Sequence, residues 1–219
     1  MYPKGLWTAL LISTVLWAAC ATQDNRSSFD LDTVPKSAEA TTPLETGAKA
    51  PLKTLRTPQG KDFDLAAAVA EQPAVLIFYR GGWCPYCNRH LAEMQDIEPE
   101  LRLLGYRVYA ISPDRPAKIK ESSAKNELDY TLLSDSRMEM AHAFGLAFKL
   151  DEETLQRYKG YDIDLEDATG ESHHLLPVPA VYIIDTNGII RFHYANPDYK
   201  IRLKPEKALE AAREAVKRR

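Results

Sequence analysis

The run Ala74–Tyr79 (AVLIFY) contains no polar position, as expected of a strand covered on both faces. Tyr106–Ser112 (YRVYAIS) predicts a second strand and Asp129–Leu133 a short third one. Farther on, Ala180–Ile184 and Ile189–Tyr194 read as strands joined by the hairpin turn Asp185-Thr186-Asn187-Gly188. Leu52–Leu65 (LKTLRTPQGKDFDL) sets two short alternating runs around Pro58-Gln59-Gly60, a second hairpin signal. Helical spacing takes over between these runs. From Pro85 to about Leu104, the residues Leu91, Met94, Ile97, Leu101 and Leu104 recur every three or four positions, and Pro99 is expected to kink or split that helix. Pro116–Asn126 predicts a helix with Pro near its first position, and Arg137–Phe144 a short helix ended by Gly145. Pro205–Lys217 closes the chain with Leu209, Ala212 and Val216 on one helical face. A β-α-β half followed by a β-β-α half predicts an α/β sandwich: a central mixed sheet flanked by helices.

Upstream of residue 51 the pattern changes. Gly5–Ala19 (GLWTALLISTVLWAA) is an uncharged apolar stretch preceded by Lys4, the signature of a secretory signal over residues 1–19. Ala18-Ala19 before Cys20 is similar to the lipobox of bacterial lipoproteins, in which the cysteine is acylated; Trp17 stands where that motif has Leu. An ordinary signal peptide cut near Ala21, or an uncleaved anchor running to Gln23, are the alternatives. Ala21 after the cysteine implies an outer-membrane address, with the domain facing the periplasm. Residues 20–50 show no period of two or 3.6 and are rich in Ser, Thr, Ala and charged residues, so a flexible tether is expected, reaching on the order of 30 Å. One domain over residues 51–219 remains.

Composition narrows the chemistry. Of 219 residues, 28 are Lys or Arg and 31 Asp or Glu, a formal net charge of -3 that lacks the basic footprint of a nucleic-acid binder. Only three cysteines are present, too few for a stapled scaffold. Cys84 and Cys87 form a single C-x-x-C that directly follows the AVLIFY strand and opens the long helix. A helix start offers unpaired N–H groups and a favourable dipole to an anion, which lowers a thiol's pKa. Pro85 suits the first helical turn, Gly81 and Gly82 let the chain bend out of the strand, and Arg80 is a candidate cation beside the thiolate. Cys84 is the expected nucleophile, and Cys87, three residues on, the expected resolving thiol. A zinc site would need two more ligands, for which His173-His174 is the one candidate pair; metal binding is not expected. No cofactor is implied. A structural Cys84–Cys87 bridge would close too small a loop to stabilise much.

FYRGGWCPYCNRHL (Phe78–Leu91), ISPDRPAKI (Ile111–Ile119), LLSDSRMEMAHAFGL (Leu132–Leu146) and LPVPAVYIIDTNGII (Leu176–Ile190) occur in that order. Together they resemble the peroxiredoxin-like branch of the alkyl hydroperoxide reductase/thiol-specific antioxidant superfamily, from about Leu52 to the last helix. The resemblance implies a thioredoxin-like fold. The string Cys-Pro-Tyr-Cys is also similar to glutaredoxins. In peroxiredoxins the peroxidatic cysteine follows Pro-x-x-x-Thr-x-x-Cys; counted from Cys84, those two places hold Ile77 and Gly81. The Arg that the family carries before its later strand is replaced by Pro179, which resembles the cis-proline of thioredoxin-like disulfide oxidoreductases. That likeness implies that the Val178 backbone pairs with a substrate segment. The buried acid of thioredoxins is not reproduced either, Phe78 standing in its place. Trp83 is read as a shield for the sulfur and a partner contact, or as a core aromatic. Asp151–Glu171 is an insertion that either borders the site or forms a solvated loop, and Asp198-Tyr199 with Arg202 recurs in this branch without a role.

The leading expectation is a thiol–disulfide oxidoreductase of the cell envelope, cycling Cys84 and Cys87 against protein or small-molecule disulfides. The second is a thiol peroxidase with Cys84 peroxidatic and Cys87 resolving. A metal-carrying or docking lipoprotein without turnover is the third. For either enzyme the domain holds no third cysteine, so a thiol reductant or oxidant must come from another molecule. The membrane is reached through the lipid on Cys20.

Overall fold

A computed structural model describes residues 29–126 and 128–217. Cys20 and the apolar stretch before it lie outside the described residues. Among the described residues, the strands β1 (Thr54–Arg56), β2 (Asp62–Asp64), β3 (Ala74–Phe78), β4 (Arg107–Ser112), β5 (Thr131–Ser134), β8 (Ala180–Ile184) and β9 (Ile190–Ala195) form one sheet in the order β2-β1-β5-β4-β3-β8-β9. β3, β4 and β5 run parallel, and β1, β8 and β9 pair antiparallel with their neighbours. The sheet is therefore mixed, as the sequence predicts. A separate antiparallel pair joins β6 (Ala147–Lys149) to β7 (Leu175–Pro177).

The unbroken apolar run of β3 follows from cover on both faces. Leu76 and Phe78 point into one core, where Phe78, Phe144 and Tyr182 pack with ring centroids 4.9–6.0 Å apart. Val75, Ile77 and Tyr79 point into the other, against α2 (Pro85–Leu103), α3 (Pro116–Asn126) and α7 (Pro205–Lys217). α1 (Leu65–Glu71) and α4 (Glu139–Ala143) belong to the Phe78 side. α2 is not split at Pro99: the one lost backbone bond is outweighed by burial of Leu91, Met94, Ile97 and Leu101 on either side of it.

The flexible-tether expectation is overturned over residues 29–50. Val34 and Ala50 are buried, and the Phe29 ring stacks on His142 at 3.9 Å. Lys149 N–H donates to Pro35 O at 2.8 Å, Leu44 N–H to Phe144 O at 3.0 Å, and Lys49 bridges to Ile189. Gly145 has φ +70, and a Cβ there would lie 2.1 Å from Thr42 O, so the strap and the end of α4 are in close contact. Its apolar residues are unevenly spaced because the strap is held largely through its backbone, and a period-based reading has nothing to register.

Candidate redox site

β3 delivers Tyr79 and Arg80 to the end of the sheet, where Gly81-Gly82-Trp83 turns into α2. Gly81 has φ +148, and a Cβ there would meet Trp83 Nε1 at 2.3 Å and Asp114 Oδ1 at 2.7 Å. Only glycine fits that turn. Cys84 is the N-cap of α2, with its N–H on Gly81 O at 3.1 Å and its carbonyl accepting from Cys87 and Asn88 N–H at 3.0 Å. Pro85 takes the first helical position, as predicted. Both thiols are free and almost fully covered: Cys84 is 1% exposed and Cys87 0%.

The two sulfurs differ in surroundings. Arg202 Nη2 donates to Cys87 Sγ at 3.3 Å. Burial pushes the Cys87 thiol up, but a hydrogen bond from Cys84, the charge of Arg202, the Arg80 backbone N–H and the Arg202 hydrogen bond together bring it below its ordinary value. Cys84 is pushed up, first by its hydrogen bond to Cys87 and then by burial, with Arg80 acting against the rise. The groups that favour a thiolate therefore gather on Cys87, in the first turn of α2, rather than on Cys84 at the cap, where the sequence places the nucleophile. Counted from Cys87, the motif Pro-x-x-x-Thr-x-x-Cys falls on Arg80 and Cys84 rather than on Ile77 and Gly81. Cys84 thus supplies a donor where the family carries a hydroxyl.

Arg202 comes from the segment between β9 and α7. Asn196 and Asp198 side chains accept backbone N–H groups within that turn, and Arg202 Nε donates to Tyr199 O at 2.7 Å. His90, on the other side, lies with Nε2 3.1 Å from Leu203 O; burial and then the Arg202 charge push it down to about 4. It is neutral at pH 7.

Arg80 is 4% exposed. Its guanidinium carbon lies 4.0 Å from the Tyr199 ring centre, 5.2 Å from Trp83 and 5.5 Å from Tyr158, and Nη2 donates to the Tyr158 hydroxyl. Tyr158 belongs to α5 (Glu152–Lys159), so the insertion borders the site. With α6 (Leu165–Thr169) it folds over a small cluster of Leu150, Leu155, Leu165 and Leu176 on which Trp83 also packs. Opposite Arg80 stands Asp114, 1% exposed, whose Oδ2 accepts from Gly82 N–H at 2.7 Å while Oδ1 has no partner. Burial raises its carboxyl to about 7, with the Cys87 charge adding to the rise. No local sequence signal pointed to Asp114 or Arg202 as neighbours of the cysteines.

The expectation for Val178 and Pro179 is corrected. Their peptide bond is trans. Val178 is buried with its N–H on Leu146 O at 2.8 Å, extending the β6–β7 pair, and Pro179 O accepts from Asn196 N–H. That Val178 N–H is already engaged and so not open to a substrate strand; Pro179 instead lines a cavity beside Arg80. His173 is tied to Ser136 O and His174 to Glu166, and among the described residues no group of three or more metal-ligating side chains gathers.

Residues 46–193 match the model of the AhpC/TSA family. A putative peroxiredoxin bcp of Haemophilus influenzae is 36% identical over 104 residues, covering 48% of this chain and 66% of that protein. The chloroplastic peroxiredoxin Q of Oryza sativa subsp. japonica is 26% identical over 183 residues, 78% of this chain and 74% of its own. Among solved structures, a peroxidoxin BcpB from Mycobacterium tuberculosis superposes with a TM-score of 0.61 at 20% identity, covering 80% of this chain and 97% of its own. Reduced Prx3 from Vibrio vulnificus in complex with hydrogen peroxide gives 0.62 at 18%, covering 77% and 99%. With the family model covering more than half of its length, this chain belongs to the AhpC/TSA family, as a peroxiredoxin-like protein of thioredoxin-like fold.

Proposed function

We propose that the chain is a thiol peroxidase in which Cys87 attacks the hydroperoxide and Cys84 resolves. The observation that carries this reading is the Arg202 guanidinium on Cys87 Sγ inside a covered site. The Cys87 thiolate attacks the terminal peroxide oxygen, the O–O bond breaks, Cys87 is left as a sulfenic acid, and the departing alkoxide or hydroxide takes one proton from water, in place of the one the thiol released on ionising, to leave as alcohol or water. The cations Arg202 and Arg80 favour the charge that develops on the departing oxygen. Cys84 then loses its proton and attacks the Cys87 sulfenic acid; a disulfide forms and water is released. An external thiol supplies two electrons to restore the pair. Burial of both sulfurs and the engaged Val178 N–H support a small oxidant over a protein disulfide.

Mixing reduced protein with hydrogen peroxide tests this. Oxidation much faster than that of free cysteine is expected, and a rate no faster would overturn the reading. In Cys84→Ser, peroxide should leave a sulfenic acid on Cys87 that dimedone captures; capture on Cys84 in Cys87→Ser with undiminished rate would restore the opposite roles. For location, the proposal rests on sequence: a signal over residues 1–19 and a lipid on Cys20, facing the periplasm. Incorporation of labelled palmitate that disappears in Cys20→Ser checks it.

A further inference from the structure

Arg80 is a buried cation without a carboxylate. Among the described residues no ion pair involves it, and its Nε has no partner. Three aromatic rings and one hydroxyl compensate only part of the cost of taking a guanidinium out of water. On one side its charge acts on Cys84 and its backbone N–H on Cys87. On the other it lines a cavity of about 430 Å³. That is far more room than hydrogen peroxide needs, a molecule of the same scale as water at ~30 Å³.

The cavity's chemistry is divided. Phe148, Pro177, Pro179 and Tyr199 form an apolar wall. Lys36, Lys149 and Arg157 stand around it with Arg80, against only Glu39 and Asp151. Asp151 is already committed as the N-cap of α5, accepting from Thr154 N–H at 2.6 Å. A local positive excess on a chain of formal net charge -3 is a feature of this place and not of the surface at large.

We infer that this cavity is the substrate entrance and that it selects organic hydroperoxides carrying a carboxylate, an inference that rests on the peroxidase reading. The apolar body lies on Phe148, Pro179 and Tyr199, the carboxylate is drawn by Lys149 and Arg157, and the peroxide end is directed to Arg80 and the Cys87 sulfur. The chemistry is the step already given: sulfur gains the terminal oxygen, and the remainder leaves as the carboxylate-bearing alcohol.

The test compares cumene hydroperoxide bearing a para carboxylate with its methyl ester, each kcat/KM taken relative to hydrogen peroxide on the same protein. The acid should be favoured about tenfold at low salt, the scale that two or three partly exposed charge pairs supply, and the preference should shrink as salt rises. In Lys149→Glu/Arg157→Glu the ratio should fall to one or below. A wild-type ratio near one, or favouring the ester, overturns the inference. Calorimetric binding of unreactive 4-isopropylbenzoate separates the two claims. If no hydroperoxide oxidises the protein but this anion binds, and binds less in the double variant, the peroxidase reading fails and the anion site stands. If it does not bind, the anion site is overturned.

Discussion

The two flanks of the cysteine turn carry opposite charges under similar cover. On one side Arg80 is packed among Tyr199, Trp83 and Tyr158, with Arg202 reaching the Cys87 sulfur. On the other, Asp114 sits under Gly81 and Gly82 with one oxygen unpartnered, beside a second cavity of about 250 Å³ that Lys118, Ser122 and Asn88 also line. The cationic flank lowers a thiol's pKa. The acidic flank is itself perturbed, its carboxyl held up by burial and then by the charge on Cys87. Charge at the same depth thus does different work: an arginine keeps its proton throughout and acts as a fixed field, whereas an aspartate can shed its own charge.

Removing the fixed charge should have the largest effect. Arg202→Met deletes the guanidinium and its hydrogen bond to Cys87 Sγ while keeping an unbranched stem. An opposite charge at this range is worth about 1–3 pKa units. The alkylation midpoint of Cys87, which the Arg202 charge and hydrogen bond pull down, should rise by that amount, and peroxide oxidation at pH 7 should slow roughly tenfold. A pH profile of iodoacetamide labelling in Cys84→Ser and in Cys84→Ser/Arg202→Met checks this. Superimposable profiles would remove Arg202 from the mechanism and leave the helix start as the main source of thiolate.

The same contrast sets how much the sequence disclosed. β3, the C-x-x-C at the head of α2 and the Asp185 turn were legible because each is local. Asp185 Oδ1 accepts from Asn187 and Ile189 N–H within a few residues, so its role is written in the turn itself. Arg202 stands 115 positions from Cys87 in a stretch without period, and only the folded chain brings them together. Asp114 was hidden for a related reason: an acid after a strand reads as a turn residue until its burial is known. α5 and α6 went unread because Leu155 and Leu165 are the few apolar positions in polar helices and pack on Leu150 and Leu176 outside them. Which sulfur the distant arginine meets was out of reach for the same cause, since the spacing of a C-x-x-C is silent about it.

Asp114→Asn tests the other flank. The amide keeps an acceptor for Gly82 N–H and cannot ionise. The native carboxyl titrates near 7, above its ordinary 3.8. Between those values the folded chain holds a proton that the unfolded chain has released, so stability falls as pH rises across this window. The facing groups from neighbouring elements are Tyr79, Cys87 and Lys118, with Asp162, Asp164 and Asp167 across the cavity. Asp135, also buried and raised to about 7, contributes a similar slope to both proteins and cancels in their difference. The variant should gain on the parent from pH 5 to pH 8 by on the order of 1–3 kcal/mol. Urea midpoints at the two pH values measure it, and parallel changes in the two proteins would show that Asp114 stays ionised throughout.

The smallest effect is expected where the two flanks are joined by the insertion. Tyr158→Phe keeps the ring that packs on Trp83 at 5.7 Å and lies 5.5 Å from the Arg80 guanidinium, and removes only the hydroxyl that accepts from Nη2. Arg80 then loses its one hydroxyl acceptor in α5 but keeps Tyr199, so the loss should be about 1 kcal/mol, a fall in Tm of about 2–4 °C for a chain of this size. A ring-deleting change, Tyr158→Ala, would strip the packing as well and should cost more. If Phe and Ala are equally mild, α5 is a cover resting on its own leucine cluster, and the aromatic grip on Arg80 comes from Tyr199 and Trp83. If Phe is as severe as Ala, the hydroxyl, and with it the insertion, sets where the buried cation points.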